Sequence, residues 1–190
     1  FASLSEPSLY AAIEVTNTGS LPAAVTEIEC TFTAGSKSEQ DKFTPPLNKY
    51  DILLPGETAC FALWHDFSDK DLTDGAEVAV SATVSCEEAD ETVADCRLGS
   101  DSIKVIDNYP GFPTLSGTLI NDSESDYALS LVYVSFYDAE DKLIGAWHFT
   151  KNLALPANQQ RNFVMHMQTL PLPGLSEQAA RIETRVIGIS

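Results

Sequence analysis

The chain has 190 residues, 44% of them apolar and 21% charged, a globular balance with room for one large or two small domains. Eleven Lys and Arg stand against 28 Asp and Glu, and the resulting net charge of −17 repels nucleic-acid phosphates and anionic lipid, which excludes both as expected partners. No apolar run reaches the roughly 18–20 residues of a membrane-spanning helix, and the opening at Phe1, without an initiator Met or a basic-then-apolar leader, reads as a trimmed mature region.

In chain order, the first predicted strand is Ala12 to Ser20, an alternating segment that ends in Asn17 and a polar turn. The second is Val25 to Thr33, and the third, Ile52 to Leu63, opens on a Leu54-Pro55-Gly56 turn. Asp69 to Asp74 has the look of a single helical turn. Ala76 to Cys86 then closes the first half, with Val78, Val80, Ala82 and Val84 on one face and Glu77, Ala79, Ser81 and Thr83 on the other. Asp107, Asn108, Pro110, Gly111 and Pro113 supply linker and turn chemistry. The expected boundary therefore lies near Tyr109, dividing residues 1–108 from 109–190, with Ile103 to Ile106 as a last strand of the first domain or a lead-in to the second.

The second half repeats the first. Ser116 to Glu124 answers Ala12 to Ser20, and Leu129 to Tyr137 answers Val25 to Thr33, so that Phe136 falls on Phe32. Leu153 to Val164 answers Ile52 to Leu63, with Leu155-Pro156 as the shared turn, and Ala180 to Ser190 answers Ala76 to Cys86. A second short helical stretch, Leu175 to Arg181, is expected with Ser176 as its N-cap. Repeated alternating strands with Gly, Pro and Asn turns and scarce helix predict an all-β fold: two tandem antiparallel immunoglobulin-like β-sandwiches.

Cys30, Cys60, Cys86 and Cys96 lack the paired spacing of a structural zinc site. Cys86 and Cys96 bracket the polar loop Glu87 to Asp95, which includes the acidic run Glu87, Glu88, Asp90 and Glu91, and a hairpin there would bring them within disulfide reach. Asp69-x-Asp71-x-Thr73-Asp74-Gly75 resembles a calcium loop superficially, but Gly75 is seventh where sixth is required and Val80 stands where the bidentate Glu belongs. The histidines, His65, His148 and His166, come without a nucleophile or HExxH spacing, so no catalytic, metal or cofactor residue is expected and the chain reads as a non-enzyme. Trp64, Trp147, Tyr50, Tyr109 and Tyr127 are the candidate gripping aromatics. Trp64 alternates with Phe61 and Leu63, however, so one of these two sets must face the core.

Val134-Ser135-Phe136-Tyr137-Asp138, the following Ala139 to Gly145, the Leu155-Pro156 turn, Phe163 and Asn121 together resemble the FxLYD-type domain, a small β-sandwich of bacterial secreted proteins and lipoproteins. The likeness covers roughly residues 115–190. The first half, with Cys30-Thr31-Phe32-Thr33-Ala34 in place of the Tyr-Asp, is a diverged copy connected through the internal repeat. The resemblance implies an extracellular or envelope-anchored, non-catalytic binding or spacer module without a cofactor, whose partner is a protein or carbohydrate at the cell surface. The alternative expectation is a calcium-dependent binding domain that uses the Asp69 to Asp74 turn.

Overall fold

The computed structural model describes residues 2–5, 8–46, 51–68, 77–89, 97–109, 112–151, 154–167, 172 and 174–189. The chain divides into two compact units, Phe1–Asp95 and Cys96–Ser190. Both are antiparallel, with strand as the dominant element among the described residues.

In the first unit, β1 (Ala2–Ser5), β2 (Ser8–Thr16) and β6 (Thr58–Asp66) form one sheet in the order β1-β2-β6. The other sheet is built on β3 (Ala23–Ala34), which pairs with β4 (Lys37–Phe43) and the short β5 (Ile52–Leu53), and also with β7 (Val78–Glu88). Leu9, Ile28, Phe32 and Leu63 fill the space between the sheets, each no more than 2% exposed. Removing side chains of this size from water contributes about 1.5–3 kcal/mol apiece. The inward set of β7 is the expected one, Val78, Val80, Ala82 and Val84, since these oppose Ala34, Phe32, Cys30 and Ile28. That face is drier than its reverse, but only partly so: the three valines are half-buried and Ala82 is exposed.

The second unit follows the same winding. Its strands follow one hydrogen-bonded order, β11 (Leu143–Lys151), β10 (Leu129–Tyr137), β13 (Arg181–Ile189), β8 (Arg97–Tyr109), β9 (Phe112–Asn121) and β12 (Gln159–His166), with β8 joining the first three to the last two. Phe149 of β11 meets Phe163 of β12 across the core with ring centroids 5.5 Å apart. The first residues of β8 also pair with β13, Arg97 opposite Ile187 and Leu98 opposite Val186, before β8 turns to β9. Ser102, at φ 55, marks the bulge where the β8–β9 register shifts.

Because β8 pairs with β9 and β13, it belongs to the second unit, and the expected division of 1–108 from 109–190 is corrected to Asp95/Cys96. The Asp107 to Pro113 cluster is a hairpin, with Tyr109 opposite Phe112, and not a linker. Pro and Gly serve a reversal as readily as a link.

The repeat is visible in matching polar anchors. Asn17 Nδ2 donates to Leu21 O and to Leu53 O, both at 2.8 Å, and Asn17 Oδ1 accepts from Gly19 N at 2.9 Å. Asn121 Nδ2 donates to Ser125 O at 2.8 Å and Leu155 O at 3.0 Å, and its Oδ1 accepts from Ser123 N at 3.0 Å. Each Asn ends a strand and ties its own turn to the Leu-Pro segment of its unit, which explains why Asn recurs at that place. The closing strands sit two residues from the alignment expected by sequence: Phe32 opposes Val80, and Phe136 opposes Ile182. An even shift keeps the same side chains inward.

The second helical stretch is one turn, α1 (Leu175–Gln178), and its N-cap is Gly174 at φ 72. Ser176 does not cap it. Instead, Ser176 lies inside the turn, and its backbone N–H and hydroxyl donate to Asp107 Oδ2 at 2.9 and 2.5 Å. The Asp69 to Asp74 turn lies outside the described residues.

Candidate functional site

His65 is on the inward face of β6, 8% exposed, where it crosses the core to meet the other sheet of its unit. Its ring stacks on Phe32 at 4.9 Å and 13°, and Phe67 meets it edge-on at 5.0 Å. Nε2 lies 3.1 Å from Glu39 Oε2 and Nδ1 lies 3.2 Å from Asp41 Oδ2. Glu39 and Asp41 oppose Phe32 and Cys30 on β4, so spacing of two along a strand turns both carboxylates toward the core side. Ser68 completes the cluster, its hydroxyl donating to Glu39 Oε1 at 2.6 Å and its N–H to both Glu39 oxygens.

The Ser68 and His65 hydrogen bonds hold the Glu39 carboxyl below its usual range, with Ser68 the larger influence. Asp41 is likewise lowered, first by His65 and then by the Lys42 backbone N–H. Beside them, burial together with the Asp41 charge pushes the Cys30 thiol up to about 11, which leaves it a packing group and not a nucleophile.

This arrangement is poorly suited to hydrolysis. Ser68 bonds to Glu39 and not to the imidazole, and each ring nitrogen already faces a carboxylate, so no position on the ring is open to take a substrate proton. It is equally unsuited to a metal, because Glu39 and Asp41 lie against opposite nitrogens of the ring and do not converge on one point. No cluster of three or more metal-ligating side chains occurs among the described residues.

The other histidines are separate. His148 is half-buried beside the Tyr133 ring, centroids 5.9 Å apart. His166 is exposed, with Nδ1 at 3.0 Å from Thr114 Oγ1, its cross-strand neighbour. A hydroxyl and an imidazole are thus adjacent there, but the structure gives the imidazole no orienting carboxylate among the described residues. His65 and His166 are on corresponding strands at different positions: Phe61 opposes Ile13 and Phe163 opposes Gly117, so the counterpart of His65 is Met167, which is fully buried.

The candidate gripping aromatics are largely packed. Trp64 is half-buried at 5.1 Å from Tyr10, on the face opposite His65, and Tyr127 is buried against Gly188, where an added Cβ would meet its ring at 2.6 Å. Trp147 opposes Val134 on the core side. Tyr50 and the side chain of Tyr109 lie outside the described residues. Cys86 is exposed, and the pairing with Cys96 considered from the sequence lies outside the described residues, since Cys96 is not among them.

The first unit also has a shallow depression of about 310 Å3 on the outer face of the β4-β3-β7 sheet. Two cross-strand rows line it: Lys42, Glu29 and Thr83, then Gln40, Thr31 and Ser81. Lys42 Nζ is paired with both Glu27 and Glu29. Sequence reading missed this face and the acids around His65. No local signal marks them, since Glu39 and Asp41 alternate with Ser38, Gln40 and Lys42, which are equally polar.

No family model and no curated protein matches the chain. Among solved structures, it is similar to a β-glucuronidase of Bacteroides uniformis, with 10% identity over 85% of this chain and 22% of that one, TM-score 0.24. A β-glucuronidase from glycoside hydrolase family 2 gives 11% identity over 97% and 24%, TM-score 0.26. The C-terminal globular domain of an oligosaccharyltransferase from Pyrococcus abyssi gives 12% over 99% and 43%, TM-score 0.22. The chain thus spans under a quarter of the length of either glucuronidase, and likeness of this degree assigns no activity to it.

Proposed function

We propose that the chain is a non-catalytic binding module acting outside the cell, and that its contact surface is the polar face of the β4-β3-β7 sheet. The observation that carries this reading is the depression itself, where amide, hydroxyl, ammonium and carboxylate groups stand in two ordered rows on rigid strands. Such groups, spaced at the roughly 4.8 Å separation of neighbouring strands, suit the hydroxyls of a carbohydrate, and the many hydrogen bonds of a polar site give orientation. The saturated ring nitrogens of His65 support the absence of turnover. Likeness to the FxLYD pattern supports the extracellular placement.

The test is retention of the intact chain on a panel of immobilised polysaccharides, with soluble sugar assayed in parallel. Binding that is lost in a Gln40→Ala, Ser81→Ala double variant with an unchanged melting curve is the expected result. Retention unaffected by the two changes, or release of sugar products, overturns the reading.

A further inference from the structure

We propose that the Glu39–His65–Asp41 cluster is a pH-sensitive clamp that fastens the strand β4 to the opposite sheet of the first unit. The geometry demands a particular protonation. Ionised carboxylates only accept hydrogen bonds, and a neutral imidazole donates through one nitrogen alone. With Nε2 at 3.1 Å from Glu39 and Nδ1 at 3.2 Å from Asp41, both contacts are satisfied together only when the ring carries both protons. Loss of one proton sets a ring lone pair against a carboxylate oxygen and turns one arm of the clamp from attraction to repulsion.

Four strands supply the described groups around the ring. From β3 come Phe32 and, next inward, the weakly ionising thiol of Cys30; from β4, Glu39 and Asp41; from the end of β6, Phe67 and Ser68; from β2, the cross-strand neighbour Leu9. Two other cations lie on β4: Lys42, committed to Glu27 and Glu29 on the other face, and Lys37, two residues from Glu39 on the same face. Among the described residues, the side chains bonded to the ring nitrogens are thus two carboxylates, one at each nitrogen.

Two limits on pH follow. The folded-state carboxyls of Glu39 and Asp41 lie below their ordinary range, so their contribution is present above that range and is lost as the pH falls through the lowered values. A ring that holds one proton satisfies only one of the two carboxylates, which leaves the other arm of the clamp open. What it releases is local: β4 and the Ser68 end of β6, held otherwise by the β3–β4 ladder.

The second unit supplies an internal control, because Met167 fills the equivalent inward position without charge. The experiment is residue-resolved hydrogen exchange of the full chain at about pH 6 and about pH 9, the span in which an imidazole changes charge, with 15N shifts of the His65 ring recorded alongside. Expected are a doubly protonated ring at the lower pH and a protection factor for residues 37–43 that falls at the higher pH at least tenfold more than that for residues 143–149. His65→Met should abolish the difference. Asp41→Asn, which removes one charge and keeps the shape, should flatten it even where the Met variant fails to fold its unit. A neutral ring in one tautomer at the lower pH, or the same fall in protection in wild type and Asp41→Asn, overturns the proposal.

Discussion

The two units share strand order and an Asn anchor, yet they settle the same inward position in opposite ways: His65 between two carboxylates in one, Met167 in the other. A methionine gains its place by adaptable apolar packing, which is insensitive to solution conditions. A half-enclosed ion cluster must offset the loss of hydration before it contributes anything, so it is weak evidence for stability and better evidence for a dependence on conditions. The winding is thus a scaffold whose core accepts either solution, and pH response is the expected difference between them.

The strongest way to break the comparison is at its shared centre. Phe32 and Phe136 are both fully buried on the middle strand of their sheets. Phe32→Ala and Phe136→Ala are each expected to lower the stability of their unit by about 3–5 kcal/mol in denaturant unfolding. If only one of them does so, the two cores are not equivalent.

The Asn anchors sharpen it further. Asn121 is fully buried and Asn17 is half-buried, although they make the same set of bonds. Asn121→Ala removes the side-chain donor of the Ser125 carbonyl and one of the two donors of the Leu155 carbonyl, which keeps the Tyr127 N–H, and a loss of about 2–3 kcal/mol is expected; Asn17→Ala, with water nearer, is expected to lose about 1 kcal/mol. Equal losses, measured by urea titration of each variant, would show that burial does not set the difference.

The smallest effect concerns the thiols. Cys86 is exposed and Cys30 buried, its ionisation pushed up to about 11. Alkylation of the native chain followed by peptide mass mapping should label Cys86 well before Cys30. Early labelling of Cys30 would mean that the first unit opens readily near Asp41.

Much of the fold was legible because alternation and repetition are both backbone-level signals. Val25 to Thr33 alternates, with Ile28, Cys30 and Phe32 buried between less buried neighbours, whereas Ser130 to Tyr137 is buried throughout and is read through its repeat with the first half; the paired Asn and Leu-Pro marks tie the halves together. Lys37 to Phe43 was not legible: KSEQDKF is polar at all but its last position, since its inward acids meet a histidine from another sheet and not a hydrophobic core. That partner is 24 residues from Asp41 in the chain, and no local pattern announces it. The hairpin at Tyr109 was misread as a linker for a related reason: turn chemistry shows where the chain reverses, not which side of the reversal is a separate unit. In the turn after Tyr137, Asp141 takes the left-handed position at φ 59 while Asp138 Oδ1 holds the N–H groups of Glu140 and Lys142. Gly145 lies in β11, opposite Phe136.

The attachment of β8 to β13 at Arg97 and Leu98 has a mechanical consequence. The first strand of the second unit starts beside the place where its last strand finishes. Under tension applied there, the load falls on adjacent ends of an antiparallel pair, whose bonds run across the strands and yield one after another. The second unit is therefore built to peel open under a pull applied at these two ends.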